Sequence, residues 1–182
     1  MGAETLEALN RERLGKGGAR QTRRQKLVPV VVYGHNQETR HLAVPAHDLE
    51  MILTRNARLV DLKAEGQVLP CLVRDIQRHP VNEQVVHVDF MVVQPDQKVT
   101  TELPVRLNGN PIGVKQGGQV RRLLGRVKVN CAVADLPSFF DIDITNLEAG
   151  RNLLVKDLGS EKIRLLNPDH VAVVQITKAR PK

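Results

Sequence analysis

Aromatic side chains are almost missing from this chain: tryptophan is absent, and Tyr33, Phe90, Phe139 and Phe140 are the only four in 182 residues. A core must therefore rest on valine, leucine and isoleucine, a mixture that favours strands. Cysteine is nearly as scarce. Cys71 and Cys131 stand sixty residues apart, with no CxxC pair and no paired histidine spacing. That pattern argues against zinc and is too thin a framework for a disulfide-stapled secreted domain, so reduced, buried thiols are expected. No apolar run approaches the ~20 residues that cross a bilayer. The stretch "MGAETLEALN" has two glutamates and no apolar h-region, so it is not read as a signal peptide. Leu6 stands where a myristoylation signal needs Ser or Thr. These absences predict a soluble, cytoplasmic protein with no membrane partner.

Positive charge is present in excess, and it is concentrated. Residues 11–26 hold Arg11, Arg13, Lys16, Arg20, Arg23, Arg24 and Lys26 against Glu12 alone, so +6 of the chain's +7 can be placed there. A localised charge of this kind is an electrostatic footprint for an anionic partner. A solubilising tail is the plainer alternative. The segment fails as a phosphate loop: Gly15-Lys16 is followed by Gly17 rather than Ser or Thr, Asn10 stands at the leading glycine, and no strand is read before it. What remains is a glycine-loosened backbone carrying guanidinium forks, the kind of arm that orders when it binds RNA.

Beyond the arm the pattern is mainly β in two domains. "LVPVVVYG" (Leu27–Gly34) reads as a strand, and Pro45 with Leu49, Ile52 and Leu53 marks a short amphipathic helix. Alternation on both sides of Glu65-Gly66 reads as a hairpin. "EQVVHVDFMVV" (Glu83–Val93) is the clearest strand, with Val86, Val88, Phe90 and Val92 on one face and Val85, His87, Asp89 and Met91 on the other. "QPDQK" (Gln94–Lys98) predicts a boundary between residues 1–94 and 95–182. Four more strands follow, "VTTELPVRLNG", "GRVKVNCAV", "FFDIDIT" and "HVAVVQIT", with "NPIGVKQGGQV" as the longest loop. Sheets this small call for barrel-like closure or a covering element.

His87 and Asp89 lie two apart on one strand face, about 6.6–7 Å from each other. An acid–base pair would want a nucleophile or metal beside it, and no matching motif occurs. A local hydrogen bond on a solvated face, or a face that accepts hydrogen bonds from bases and riboses, both fit better. Tyr33 reads as half-buried core or as a platform for a sugar or base. Arg74, Gln77, Arg78 and His79 gather near the hairpin, and Lys115, Arg121, Arg122, Arg126 and Lys128 form a weaker basic group. Asp141 and Asp143 share a strand face without a hydrolase motif around them. No catalytic residue, cofactor or small-molecule substrate is called for.

Several motifs, in order, resemble one family. "R-x-x-x-GKG-x-x-R-x-x-R" (Arg11–Arg23), "VPVVVYG", "VRDIQRHP" and "HVDF" are similar to bacterial large-subunit ribosomal proteins that bind 5S rRNA. "GNPIGVKQGG" and "DLPSFFDIDITNLEAGRNLLVKDL" resemble the longer, two-domain form known as Ctc or general stress protein. The resemblance implies a six-stranded β-barrel on an irregular internal loop of 5S rRNA, and a second β-rich domain over the central protuberance. It implies RNA contacts by Arg11, Arg20, Tyr33, His87 and Asp89, with Lys16, Arg23, Gln77 and Arg78 at the edge of that surface. The implied partners are 5S rRNA, the other large-subunit rRNA and neighbouring ribosomal proteins. A stress-linked RNA-binding protein that joins ribosomes conditionally is the alternative. Where many two-domain relatives carry an acidic tail, "ITKARPK" is basic, and Lys178, Arg180 and Lys182 become candidate RNA contacts.

Overall fold

The computed structural model describes residues 4–11, 13–34, 37–158 and 163–177. Lys178, Arg180 and Lys182 lie outside the described residues. The chain divides into two compact units, Met1–Pro95 and Asp96–Lys182.

In the first unit, strands β1 (Glu4–Glu7), β2 (Leu9–Asn10), β3 (Leu27–Gly34), β4 (Gln37–Pro45), β5 (Leu59–Ala64), β6 (Gln67–Arg78) and β7 (Val85–Val92) form one sheet. Their order is β1-β5-β6-β7-β3-β4-β2. β1 and β2 are one stretch of chain divided at Ala8, yet they stand at opposite ends of that order. β1 runs parallel to β5, Glu4 beside Val60 through Glu7 beside Lys63, and the Ala8 N–H donates to the Lys63 carbonyl at 2.9 Å. Then the chain changes neighbour. Leu9 and Asn10 pair with Ala43 and Leu42 of β4, and the Arg11 N–H donates to the His41 carbonyl at 3.1 Å. One segment thus covers the β5 edge and part of the β4 edge, and brings the sheet almost to a closed barrel. The expected six strands are corrected to seven, because this segment shares its ladder between two neighbours and is counted twice.

The interior follows the composition. Leu6, Val30, Val32, Leu42, Val44, Val60, Leu62, Val73, Val88 and Phe90 form one cluster with Leu49, Ile52 and Leu53 of helix α2 (Ala46–Thr54). Cys71 belongs to it, a free thiol that burial and nearby Asp61 push up to about 12. Glu65 and Gly66 both adopt positive φ, 51° and 78°, the turn that a two-residue hairpin between β5 and β6 requires.

The outward face of β7 is as expected over residues 87–92: Val88, Phe90 and Val92 are buried while His87, Asp89 and Met91 are half-buried. At the start of the strand the assignment reverses. Val85 is buried and Val86 half-buried, because Gln77 pairs with His87 and Arg78 with Val85, leaving Val86 as an extra residue. A β-bulge of this kind flips the phase of every residue before it.

The second unit holds two sheets. β8 (Lys98–Asn108), β10 (Arg126–Ala132), β11 (Phe140–Asp143) and β13 (Arg164–Leu165) are ordered β11-β8-β10-β13, and β9 (Gln119–Arg122), β12 (Asn152–Leu154) and β14 (Ala172–Thr177) are ordered β12-β14-β9. Leu103, Val127, Val129, Phe140, Ile142 and Val174 join residues of both sheets into one core. The stretch expected as the longest loop contains helix α3 (Ile112–Lys115) and the first two residues of β9. An added β-carbon at Gly113 would overlap the Glu148–Ala149 backbone, so this loop is tightly packed where glycine permits it. On the exposed face, the Arg106 guanidinium donates to Asp141 at 2.5 and 3.0 Å and lies 5.0 Å above the Phe139 ring.

The closing segment generates a stability prediction. Leu6 is 1% exposed and Leu9 57%. Leu6→Ala is expected to destabilise the first unit by about 2–5 kcal/mol, and Leu9→Ala by less than ~0.5 kcal/mol. Equal denaturation midpoints for the two variants would mean that the segment does not anchor the barrel.

Candidate nucleic-acid interface

The basic arm is a helix. Helix α1 spans Gly15–Arg24, which corrects the expectation of a loose segment that orders only on binding, and β1 and β2 precede it where no strand was read. Gly17 and Gly18 within it oppose helix formation by about 1 kcal/mol each relative to alanine, so tertiary contacts must hold it. Gly18 and Thr22, one turn apart, are the buried positions. A β-carbon at Gly18 would overlap the Arg13 carbonyl, and the Thr22 hydroxyl donates to the Gly18 carbonyl at 2.9 Å. The helix packs on β3. There Pro29 is buried although alternation turns it outward, as is its register partner Ala43 on β4. Two hydrogen bonds fix the ends of this segment: the Arg11 N–H to the His41 carbonyl, and Arg23 Nε to the Val86 carbonyl at 3.2 Å. The second reaches the bulged residue of β7.

With the small residues turned in, the cations are collected on the other side. Lys16, Arg20, Arg23 and Arg24 recur at i, i+4, i+7 and i+8, all exposed, with no acidic residue inside the helix. This is a fixed basic stripe.

Beside it runs the outer face of the sheet. Val31 of β3 pairs with His41 of β4 on one side and with Asp89 of β7 on the other, and Asp89 pairs with Asp75 of β6. Tyr33 lies two residues along β3 beside Met91, and Gln77 pairs with His87. His87 Nδ1 stands 2.8 Å from Asp89 Oδ1, with 23% and 33% of the two side chains exposed. An Nδ1–H donated to the carboxylate fixes the ring, and in the neutral tautomer the acceptor is then Nε2. The second Asp89 oxygen is another acceptor. A face of acceptors suits base amino groups and ribose hydroxyls, while the stripe suits phosphates.

The site residues expected from sequence are only partly gathered. Tyr33, Gln77, His87 and Asp89 lie on three adjacent strands, and Lys16, Arg20 and Arg23 ride on the helix packed against β3. Arg11 precedes the helix and donates its Nε to the Arg13 carbonyl at 3.1 Å. Arg78 is turned into the β6–β7 connection, donating to the Glu83 carbonyl at 3.0 Å, where Glu83 holds a positive φ of 56°. Sequence reasoning counted Arg24 only in the charge of the arm, and it missed His41 and Asp75 as members of this face. Helical spacing from Arg20 would have found Arg24; His41 and Asp75 needed strand register.

Comparisons with known proteins identify the family. The Ribosomal L25p family model matches residues 6–90, and the model for the C-terminal domain of ribosomal protein TL5 matches residues 98–180. The chain is 39% identical to the large ribosomal subunit protein bL25 of Carboxydothermus hydrogenoformans, covering 85% of this chain and 79% of that one. It is 32% identical to the protein of the same name from Pseudomonas putida strain GB-1, over 96% and 92% of the two chains. For that of Syntrophus aciditrophicus the identity is 33%, over 97% and 92%. A barrel with a basic helix beside a half-buried His–Asp pair, matched along both units at these identities, belongs to the ribosomal L25p family, in its form with a TL5-type C-terminal domain.

Proposed function

We propose that this chain is a structural constituent of the large ribosomal subunit whose first unit binds 5S rRNA at the central protuberance, in the cytoplasm and without catalysis. The observation that carries the reading is the juxtaposition of the ordered cationic stripe of α1 with the acceptor face around His87 and Asp89. Phosphates position the RNA on Lys16, Arg20 and Arg23. Tyr33, Gln77, His87 and Asp89 then read the sugar and base edges that an irregular internal loop exposes. Arg11 and Arg78 shape the two margins of this surface as well as carrying charge. Residues 1–94 form the RNA-binding domain and 95–182 the second domain, which contacts neighbouring rRNA or protein.

The direct test is binding of 5S rRNA by the two halves. Residues 1–95 are expected to bind it with nearly the affinity of the full chain, and residues 96–182 weakly or not at all. Tighter binding by the second fragment would reverse the assignment.

Salt dependence tests the stripe. Replacing Lys16, Arg20 and Arg24 with glutamine keeps helix-forming residues and leaves the Arg23–Val86 anchor in place. The log–log slope of affinity against salt should flatten by about 2–3, given ~0.7–0.9 per phosphate contact. An unchanged slope would make the helix a bystander.

Asp89→Ala tests the acceptor face. Loss of a charged hydrogen bond costs roughly 1.5–3 kcal/mol, about ten- to a hundredfold in affinity. Simple electrostatics predicts the opposite sign, because removing a carboxylate lessens repulsion of phosphates. A melting curve controls for folding, since the substitution removes the His87 contact as well as the repulsion from its register partner Asp75. Tighter binding at fixed salt would sink the contact.

A further inference from the structure

β2 pairs with β4 only through Leu9 and Asn10, and the ladder ends with the bond from the Arg11 N–H to the His41 carbonyl. From Arg40 backwards, β4 has β3 as its one ladder partner among the described residues. Where the N-terminal segment leaves β4 to start α1, an open groove of about 470 Å³ remains, lined by Asn10, Arg11, Leu14, Arg40, His41 and Glu65.

The chemistry of this lining is specific. Arg11 and Arg40 bring two guanidinium groups, and no ion pair engages either among the described residues. Arg11 uses Nε on the Arg13 carbonyl, which leaves its terminal nitrogens as donors. His41 is exposed and lies in register with Val31, whose other neighbour is Asp89, so the groove adjoins the acceptor face. Glu65, at the tip of the β5–β6 turn, is the one anion, and the Asn10 amide donates to it. Leu14, 56% exposed, adds an apolar surface. Two cations for a phosphate, a carboxylate and an amide for a hydroxyl that both donates and accepts, and an apolar plate for a sugar ring make up the recognition set of a ribonucleotide backbone unit.

We propose that this groove is a second seat on the RNA, holding one phosphate–ribose unit of the bound strand outside the His87–Asp89 contact. The inference rests on the proposed 5S rRNA binding and extends it. Arg11 and Arg40 clamp the phosphate; Glu65, oriented by Asn10, accepts the ribose 2′-hydroxyl; His41 borders the path from the groove to Asp89. A strand held at two places is fixed in direction as well as position, which a single contact cannot do.

The test uses the full chain and 5S rRNA, with affinities measured across a salt series and the bound RNA footprinted by hydroxyl radicals. Arg40→Gln is expected to weaken binding about fivefold to tenfold near physiological salt and to flatten the log–log slope by ~0.7–0.9. It should expose a short run of backbone distinct from that exposed by Asp89→Ala. Arg40→Lys keeps the charge and should keep the slope, an outcome that a merely structural role for Arg40 would not separate from Arg40→Gln. Free adenosine monophosphate at millimolar concentration should not displace the RNA; displacement would assign the groove to a free nucleotide and overturn the proposal. If wild type binds and Arg40→Gln matches it in slope and footprint, the groove is not a seat. If wild type itself fails to bind 5S rRNA, the functional reading falls and takes this one with it.

Discussion

A strand at the edge of a sheet leaves a row of peptide groups unpaired, and the first unit depends on how seven N-terminal residues answer that constraint at two edges together. Glu4–Glu7 add to β5 and Leu9–Asn10 add to β4, with Ala8 as the point of exchange. Parallel pairing on one side and antiparallel pairing on the other require the segment to bridge the gap between the sheet's two ends. Leu6 then enters the core at 1% exposure, and Glu4 meets Arg55 just beyond α2 at 3.0 Å. The same closure decides where α1 begins. Since Arg11 is still bonded to His41, the helix must start beside β4, and it is anchored near its far end by Arg23 at the β7 bulge. The site is therefore a consequence of the closure.

An ordered helix changes the energetics of RNA binding from those of a flexible arm. Ordering a backbone residue costs roughly 1–2 kcal/mol, so a ten-residue arm that folds on its target would forfeit much of its contact energy. Here burial of Gly18 and Thr22 and the hydrogen bonds at Arg11 and Arg23 meet that cost during folding. The four stripe cations then approach at a fixed spacing. Side-chain entropy is what remains to be lost, and arginine's planar fork limits it.

Much of the fold was legible because it rests on local pattern. The Glu65-Gly66 hairpin announces itself by turn chemistry, α2 by the spacing of Leu49, Ile52 and Leu53, and β7 by alternation from His87 to Val92. The misses were features decided by distant partners. Val85 and Val86 exchange faces because of how β6 lies beside them. β1 and β2 are four and two residues long and acquire their identity only from β5 and β4. In α1, glycine content suggested looseness, and the decisive signal was Gly18 with Thr22 at i+4, small enough to approach the sheet. Among site residues, the type of chemistry at His87 and Asp89 was readable, but Asp75 and His41 needed strand register to be placed beside them.

The sign of the charge on the rest of the first unit completes the physical picture. Residues 1–95 carry thirteen basic and eleven acidic side chains; seven of the basic ones fall in residues 11–26 with Glu12 alone. The remainder of that unit is therefore net −4, against +6 for the segment that contains α1. Such a body repels a polyanion over a Debye length of about 8 Å at physiological salt, while the stripe attracts it. Approach is thus guided by both signs, which favours encounter through the helix and suppresses docking elsewhere on the barrel. On the interface proposed above, this asymmetry also gives the carboxylates a role. There Asp75 and Asp89 would weaken non-specific attraction, so an RNA that supplies no donors to them would meet local repulsion beside the stripe. In that proposal, affinity from the helix and selectivity from the sheet are set by different residues on one scaffold.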